Sequence, residues 1–415
     1  MIEWSEQHLM VRDMIRSFID AEIVPNIDEL EHGDMPPYDI LRKMITTFGM
    51  DQMAKGQFDK QIAKAKAIES GEISEEDAAK EPSGMGVGEG DAIAMTFIPM
   101  IELCKHCPGM VTAMGVSMGL GGSSIMSKGT IEQKERWGLD VLTLKKVCAW
   151  AITEPGSGSD AFGAMKSTAR RTEDGGYLLN GSKTFITNGP HADVIIFICK
   201  LDEPGVEQKD RKVLTFVLDS GMEGLVQSKA LKKMGLHSSP TGELFLQDVK
   251  VGIDRLLGGS EDRQTRSGAK DTFTQERSGV CAMALGIVEQ CLDLSLKYAK
   301  ERVQFGQPIA QFQLIQEKLA RMEVARVNLQ NLVFRFIETA AKGKQMSLAE
   351  ASASKLYSAK TAVDVAMEAI QIHGGNGYMT EYRVEQLARD AKILQIYGGT
   401  DEIQINAIAR DLLSR

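Results

Sequence analysis

The chain has 415 residues, 43% of them hydrophobic and 25% charged, with a formal net charge of −9. The length exceeds one ordinary core and the composition is that of a globular chain, which excludes a small binding module and a disordered or fibrous protein. The negative field disfavours nucleic acid and anionic membrane as partners, leaving room only for a local basic patch toward a phosphorylated ligand.

Residues 1–18 place acids before any apolar run, unlike a secretory signal, and no charge-free stretch reaches a membrane-spanning length. Six cysteines are too sparse for a disulfide framework, so a cytoplasmic protein is expected. Up to residue 146 the period is helical: Leu9, Ile15, Phe18, Ile19 and Ile23, then the runs 41–48 and 131–144, broken at Pro25 and Pro36–Pro37. Residues 55–91, rich in Lys, Glu and Ala and closing on Pro82 and glycines, predict a solvated helical insertion with an open loop. From 147 to 262 the period turns to two, in VCAWAIT, KSTARRT, YLLNGSKTFITN, ADVIIFICKL, KVLTFVLD and GELFLQDVKV. Strands so close together predict an antiparallel barrel or sandwich. From 263 to 415 long helical runs return, at 278–303, 309–342 and 348–373, which suit a four-helix bundle. The fold class is therefore α+β multidomain in the order helical, β, helical.

Several motifs carry no chemistry. Gly84, Gly86, Gly88 and Gly90 follow no strand and miss the dinucleotide spacing. Cys104 and Cys107 form a lone CxxC without a second pair, so a helix end with buried thiols explains them and no metal is expected. No GxSxG, HExxH or Walker pattern occurs. Thr153–Asp160, TEPGSGSD, differs: it leaves a β-run with free amides, hydroxyls and glycines where a ligand can approach the main chain.

CAWAITEPGSGSD with LNGSKTFITNG resembles the paired signature of the acyl-CoA dehydrogenase family, and ERVQFGQPI, QIHGGNGYMTEY and ARDAKILQIYGGTDEI resemble its later blocks in order. The resemblance spans the chain except for 55–91. It implies the same helical, β, helical fold and an FAD cofactor. Trp150, Ile152 and Thr153 would lie beside the flavin ring with Thr187, Ser159 would touch both FAD and the substrate's pantetheine arm, and Phe185 would shield the ring where many members have tryptophan. Arg302, Gln304, Phe305, Phe312 and Gln313 match the segment holding the pyrophosphate and adenine, while Gln371, Ile372, Gly374 and Gly375 match a second cofactor strip. These come from a neighbouring subunit in the family, which implies a homotetramer. Thr400 and Glu402 complete the implied cofactor set. Read without the family, Arg302 is a helix-end cation and Gly374–Gly375 a helix stop.

One block departs from the common pattern. The family's catalytic glutamate often precedes the GT of this last block, where this chain has Gly398. In long-chain and isovaleryl-like members the glutamate stands on an earlier helix, and FTQERSG puts Glu276 there, with Phe273, Arg277, Gly398 and Gly399 around the substrate. Outside the resemblance, Glu276 is an ordinary first-turn acid and Arg277 a surface ion-pair partner. The implied reaction removes the α-proton of an acyl-CoA thioester by Glu276, its pKa raised by an apolar pocket, and passes the β-hydride to flavin, giving a trans-2-enoyl-CoA in fatty-acid or related catabolism. Electron-transfer flavoprotein is the implied acceptor. The small residues of 109–122, where relatives line the acyl tail, suit either a deep pocket or close helix packing. Two alternatives stand beside this: an inactive flavin-binding interaction protein, and a flavin oxidase or monooxygenase on the same scaffold.

Overall fold

The computed structural model describes residues 3–74, 77, 89–263 and 268–414; the side chains of residues 89, 263 and 268–276 lie outside that set. The first section is helical: α1 (Glu6–Phe18), α2 (Tyr38–Thr47), α3 (Met50–Glu69), α4 (Glu89–Cys104), α5 (Pro108–Met114) and, past a π-helical stretch (Gly115–Gly122), α6 (Ser123–Lys128). Ser5 opens α1 with a capping box to His8, and Gly49, at φ 65°, makes the left-handed turn into α3. Within 55–91, α3 runs to Glu69 and α4 begins at Glu89; Gly84, Gly86 and Gly88 lie outside the described residues. Gly90 serves packing, since a Cβ there would sit 2.6 Å from the Ala341 Cβ.

Seven strands form the middle sheet: β1 (Cys148–Ala151), β2 (Thr168–Arg171), β3 (Tyr177–Thr187), β4 (Val194–Leu201), β5 (Val213–Asp219), β6 (Leu225–Gln227) and β7 (Thr241–Val251). Their order is β1-β4-β2-β3-β7-β6, with β5 paired to β4. The sheet is mixed, which corrects the antiparallel expectation: β1 and β2 both run parallel to β4, at different ends of it. The reason is visible in VIIFICKL. A strand apolar along most of its length is buried on both faces, and β4, apolar from Val194 to Cys199, is: Ile195, Phe197 and Cys199 enter one core, while Val194, Ile196 and Ile198 enter another with Trp137 and Val141 of the helical section.

The last section comprises α7 (Gly268–Glu301), the hairpin β8 (Val303–Gln304) and β9 (Gln307–Pro308), α8 (Gln313–Ala341), α9 (Leu348–His373), α10 (Val384–Lys392) and α11 (Asp401–Leu413). α7, α8, α9 and α11 make the bundle, and α4 packs against α7 and α8. One hydrophobic core therefore runs from Ile15, Leu41 and Phe97 to Val288, Leu329 and Leu387, although the sheet separates these helices in sequence. Gly286 permits the approach, because a Cβ there would meet Ile101 O at 2.2 Å. By length and composition Arg277–Glu301 would pass for a membrane span, but 67% of its apolar window is buried inside the protein, as a core helix is. Cys104 and Cys107 are buried where α4 ends, and burial pushes both thiols up.

Candidate active site

β1 carries Trp150 to the sheet rim, and the chain leaves it through Ile152 and Thr153. The loop that follows is fixed from behind. Lys183 of β3 has no solvent exposure, and its ammonium donates to Ile152 O at 3.1 Å and Glu154 Oε1 at 2.8 Å. Glu154 also accepts the Lys166 and Ser167 N–H groups at 2.6 and 2.9 Å. Burial alone would raise the Glu154 carboxyl, but these bonds outweigh it and hold it below the usual range; burial likewise lowers Lys183 against the pull of Glu154. Thr184 N–H donates to Thr153 O at 3.0 Å, tying the loop to β3. Gly156 and Gly158 meet nothing within 4 Å of a built Cβ, so they serve no internal packing and leave the main chain open beside exposed Ser159.

Between Lys183 and Ile186, β3 has one residue more than β7, a bulge, and Phe185 sits on it at φ 56° with 70% exposure. The left-handed backbone costs about 1–2 kcal/mol and the ring gains no packing in return. Such a face suits a planar ligand. Thr187, half-buried, closes the strand.

A second group gathers where α7 ends. Arg302 is exposed there, and the β8–β9 turn is made by Phe305 and Gly306 at φ 51° and 80°. Phe305 is 95% exposed, edge-on to Phe312 at 6.0 Å, with Gln304 and Gln313 exposed alongside. Tyr298 stacks on His373 at 4.3 Å and accepts from Asn376 Nδ2 at 3.0 Å, joining the last turns of α7 to the end of α9. Gln371, Gly374 and Gly375 are exposed there, and both glycines are open, with nothing within 4 Å of a built Cβ. Ile372 departs from expectation: it is buried in the helical core, because its neighbours on α9 turn it inward. No hydrogen bond or ion pair among the described residues joins this group to the β-sheet lip.

A third group surrounds Gly398 and Gly399, at φ 62° and 88°. Thr400 caps α11, its Oγ1 accepting the Ile403 N–H at 3.4 Å, and Glu402 is exposed in the first turn. Arg277 is buried and donates to Ser352 Oγ at 2.8 Å, which replaces the surface ion pair with a bond into α9. Glu276 and Phe273 stand on α7, and their side chains lie outside the described residues. Between lip and bundle lies the π-helical stretch, docked on β1 by Ser117 Oγ, which accepts the Cys148 N–H at 2.8 Å. Its glycines divide: a Cβ at Gly121 would strike Cys148 Sγ at 2.4 Å and one at Gly122 would meet Leu142 at 3.0 Å, whereas Gly115 and Gly119 face open space.

Residues 149–249 match the description "Acyl-CoA dehydrogenase, middle domain" and residues 266–413 "Acyl-CoA dehydrogenase, C-terminal domain". The chain is 36% identical over 410 residues to the 3-(aryl)acrylate reductase of Clostridium sporogenes, covering 99% of each. It is 34% identical over 414 residues to the caffeyl-CoA reductase-Etf complex subunit CarC of Acetobacterium woodii, covering 99% of this chain and 100% of that one. The structure of butyryl-CoA dehydrogenase from Megasphaera elsdenii superposes with a TM-score of 0.81 at 31% identity, covering 99% of both chains. The chain belongs to the acyl-CoA dehydrogenase family. It is an oxidoreductase acting on acyl-CoA, and its cofactor is FAD. The residues fit that group: two exposed aromatics on left-handed backbone, an open glycine loop and an open glycine pair.

Sequence reasoning passed over the groups that hold these faces still. Glu154 stood inside a quoted motif without a role, and Lys183 sat in a strand where a lysine reads as solvent-facing. Lys355 and Gln404, both without solvent exposure, were not singled out. A charged or amide side chain inside an otherwise apolar helical stripe was the available signal for the last two.

Proposed function

We propose that this chain oxidises a saturated acyl-CoA to the trans-2-enoyl-CoA, with Glu276 as the base that removes the α-proton. Gly398 supports the assignment: it offers no carboxylate at the alternative position and, at φ 62°, occupies backbone that glycine favours. Trp150, Ile152, Thr153, Phe185 and Thr187 hold the flavin ring; Ser159 holds both cofactor and pantetheine. Arg302, Gln304, Phe305, Phe312, Gln313, Gln371, Gly374 and Gly375 of one copy complete the site of another. Exposed Leu314, Val324, Ile405 and Leu412 supply apolar surface for such an assembly, a homotetramer. FAD, when bound, accepts the β-hydride, and electron-transfer flavoprotein takes the electrons onward, in the cytoplasm.

What supports a bulky acyl group is the pair Gly115 and Gly119 beside β1, exposed and with nothing within 4 Å of a built Cβ, in the stretch where relatives line the acyl tail. The names of two relatives favour a second direction, reduction of an arylacrylyl thioester. The same base position then returns the proton, since forward and reverse reactions share one transition state. Anaerobic titration separates the directions: saturated acyl-CoAs bleach the oxidised flavin in the first, and arylacrylyl-CoA reoxidises the reduced flavin in the second. A yellow protein that responds to neither class is the interaction-protein alternative, and rapid reoxidation by oxygen is the oxidase. Glu276→Gln is expected to slow flavin reduction by about 10²–10⁴-fold with FAD retained; reduction at the wild-type rate overturns the base assignment.

A further inference from the structure

The Gly398–Gly399 turn is held from inside the bundle by polar groups that no motif marks. Lys355 on α9 is fully buried, and its ammonium donates to Gly399 O at 2.9 Å, with Asp401 Oδ1 3.5 Å away as its counter-charge. Gln404 on α11 is also fully buried and donates through Nε2 to Gly398 O at 3.0 Å and Gly399 O at 2.8 Å. Gln395 Nε2 donates to the other Asp401 oxygen at 3.0 Å. The Gln404 Oε1 has no hydrogen-bond partner, so this amide is committed to the turn although its oxygen stays unsatisfied. A methionine at 355 and a leucine at 404 would pack the two helices without desolvating a charge or an amide. The polar choice makes sense only through what it holds.

All peptide bonds in the described chain are trans. In a trans peptide the N–H points opposite to its carbonyl. Drawing the Gly398 and Gly399 carbonyls inward therefore turns the N–H groups of Gly399 and Thr400 outward, and neither donates a hydrogen bond among the described residues. Gly399 itself admits no side chain: its φ is 88°, and a Cβ would come within 2.8 Å of Gln404 Nε2.

We infer that Lys355, with Gln404, is a positioning residue for the acyl-CoA reaction, pinning the turn so that its amides face the thioester carbonyl. This rests on the proposed function, in which the turn borders the substrate. Developing negative charge on that oxygen needs donors already oriented, and a turn free to relax would have to be reordered in each turnover.

The test uses the FAD-loaded protein. Lys355→Met is expected to keep its yellow spectrum and to slow anaerobic flavin reduction at saturating acyl-CoA at least tenfold. By calorimetry it should bind the enoyl-CoA product more weakly, while binding a thioether analogue, which lacks the carbonyl, as wild type does. Because Lys355→Met leaves Asp401 without its cation, Lys355→Met with Asp401→Asn is made as well; it should regain melting temperature and not rate. Gln404→Leu, which frees Gly398 O, leaves Gly399 O to Lys355 alone and removes the orphan oxygen, should show the same thioester-specific loss and carries the test if the lysine variants do not fold. Reduction of the folded double variant at the wild-type rate, or equal weakening of enoyl-CoA and thioether, overturns the inference. If wild type itself responds to no acyl-CoA, it is the proposed function that fails.

Discussion

Two buried carboxylates, Glu154 at the lip of the sheet and Glu31 at the junction of sheet loop and helices, have opposite fates. Glu154 meets Lys183 and two main-chain N–H groups and is held below the ordinary carboxylate range. Glu31 packs against the 233–239 loop and α10, and burial with the nearby Asp390 pushes it up to about 8. Neither of its carboxyl oxygens has a hydrogen-bond partner, and Asp390, fully buried, accepts from Leu236 N–H at 2.6 Å and is itself raised by burial. Similar burial thus gives an ionised anchor where a cation stands at hydrogen-bond distance, and a carboxyl pushed upward where the ring nitrogen of His237 stands 4.0 Å away. The lip is organised to stay in one conformation, and the junction to hold a proton.

The strongest way to break this comparison is to make the lip resemble the junction. Lys183→Met leaves Glu154 buried without its cation, which should cost about 3–5 kcal/mol of stability. The 153–160 loop loses its anchor in the same step, so FAD should wash off on gel filtration. Urea denaturation followed by tryptophan fluorescence, with the flavin-to-protein absorbance ratio, measures both. A variant that keeps its flavin and its urea midpoint would show that the pair anchors nothing.

A smaller effect sharpens what the lip's strain is for. Phe185→Gly releases left-handed strain of about 1–2 kcal/mol and incurs glycine's unfolded-state entropy of about 0.5–1 kcal/mol, so stability should be unchanged or raised by up to about 1.5 kcal/mol. Flavin retention should fall nonetheless, because the exposed ring is lost. If the melting temperature drops clearly, the ring was holding the fold and not a ligand.

That bulge also explains where the sequence was readable and where it was not. The strands from Cys148 to Val251 followed from period and turn residues because alternation is local, and β4 announced its double burial by the unbroken apolar run from Val194 to Cys199. Lys183 was hidden because the irregular pairing of β3 around Gly181 and Phe185 breaks the alternation, so Lys183 and Thr184 are buried in succession. β6, three residues long, carries too little pattern to be seen. The shared core of the two helical sections could not be read either, since an apolar stripe states that a helix is covered but not by what. The site motifs were legible through their glycines and hydroxyls; the buried lysines behind them bear on geometry, which spacing alone does not record.

The smallest expected effect tests the junction's proton. A carboxyl raised to about 8 in the native state and near 4.5 when unfolded favours folding fully below the lower value. Between the two the native state binds more protons than the unfolded one, so this contribution to stability falls as pH rises and is gone above about 8. Glu31→Gln removes the titration, and its stability relative to wild type should therefore improve steadily from pH 5 to pH 8. The variant-minus-parent difference is the quantity to measure, because other buried groups tilt the parent's own curve. His106, lowered to about 4 by burial, weakens the native state as pH falls below about 6.5, and Lys233, lowered to about 8 by burial, strengthens it as pH rises beyond that value. Arg383, Arg389 and His237 also face the pair, and their charges moderate its rise. Urea midpoints at four pH values are enough. A difference that stays flat from pH 5 to pH 8 would mean that Glu31 is ionised in the native state after all, its charge met by those arginines, and the two carboxylates would then be alike.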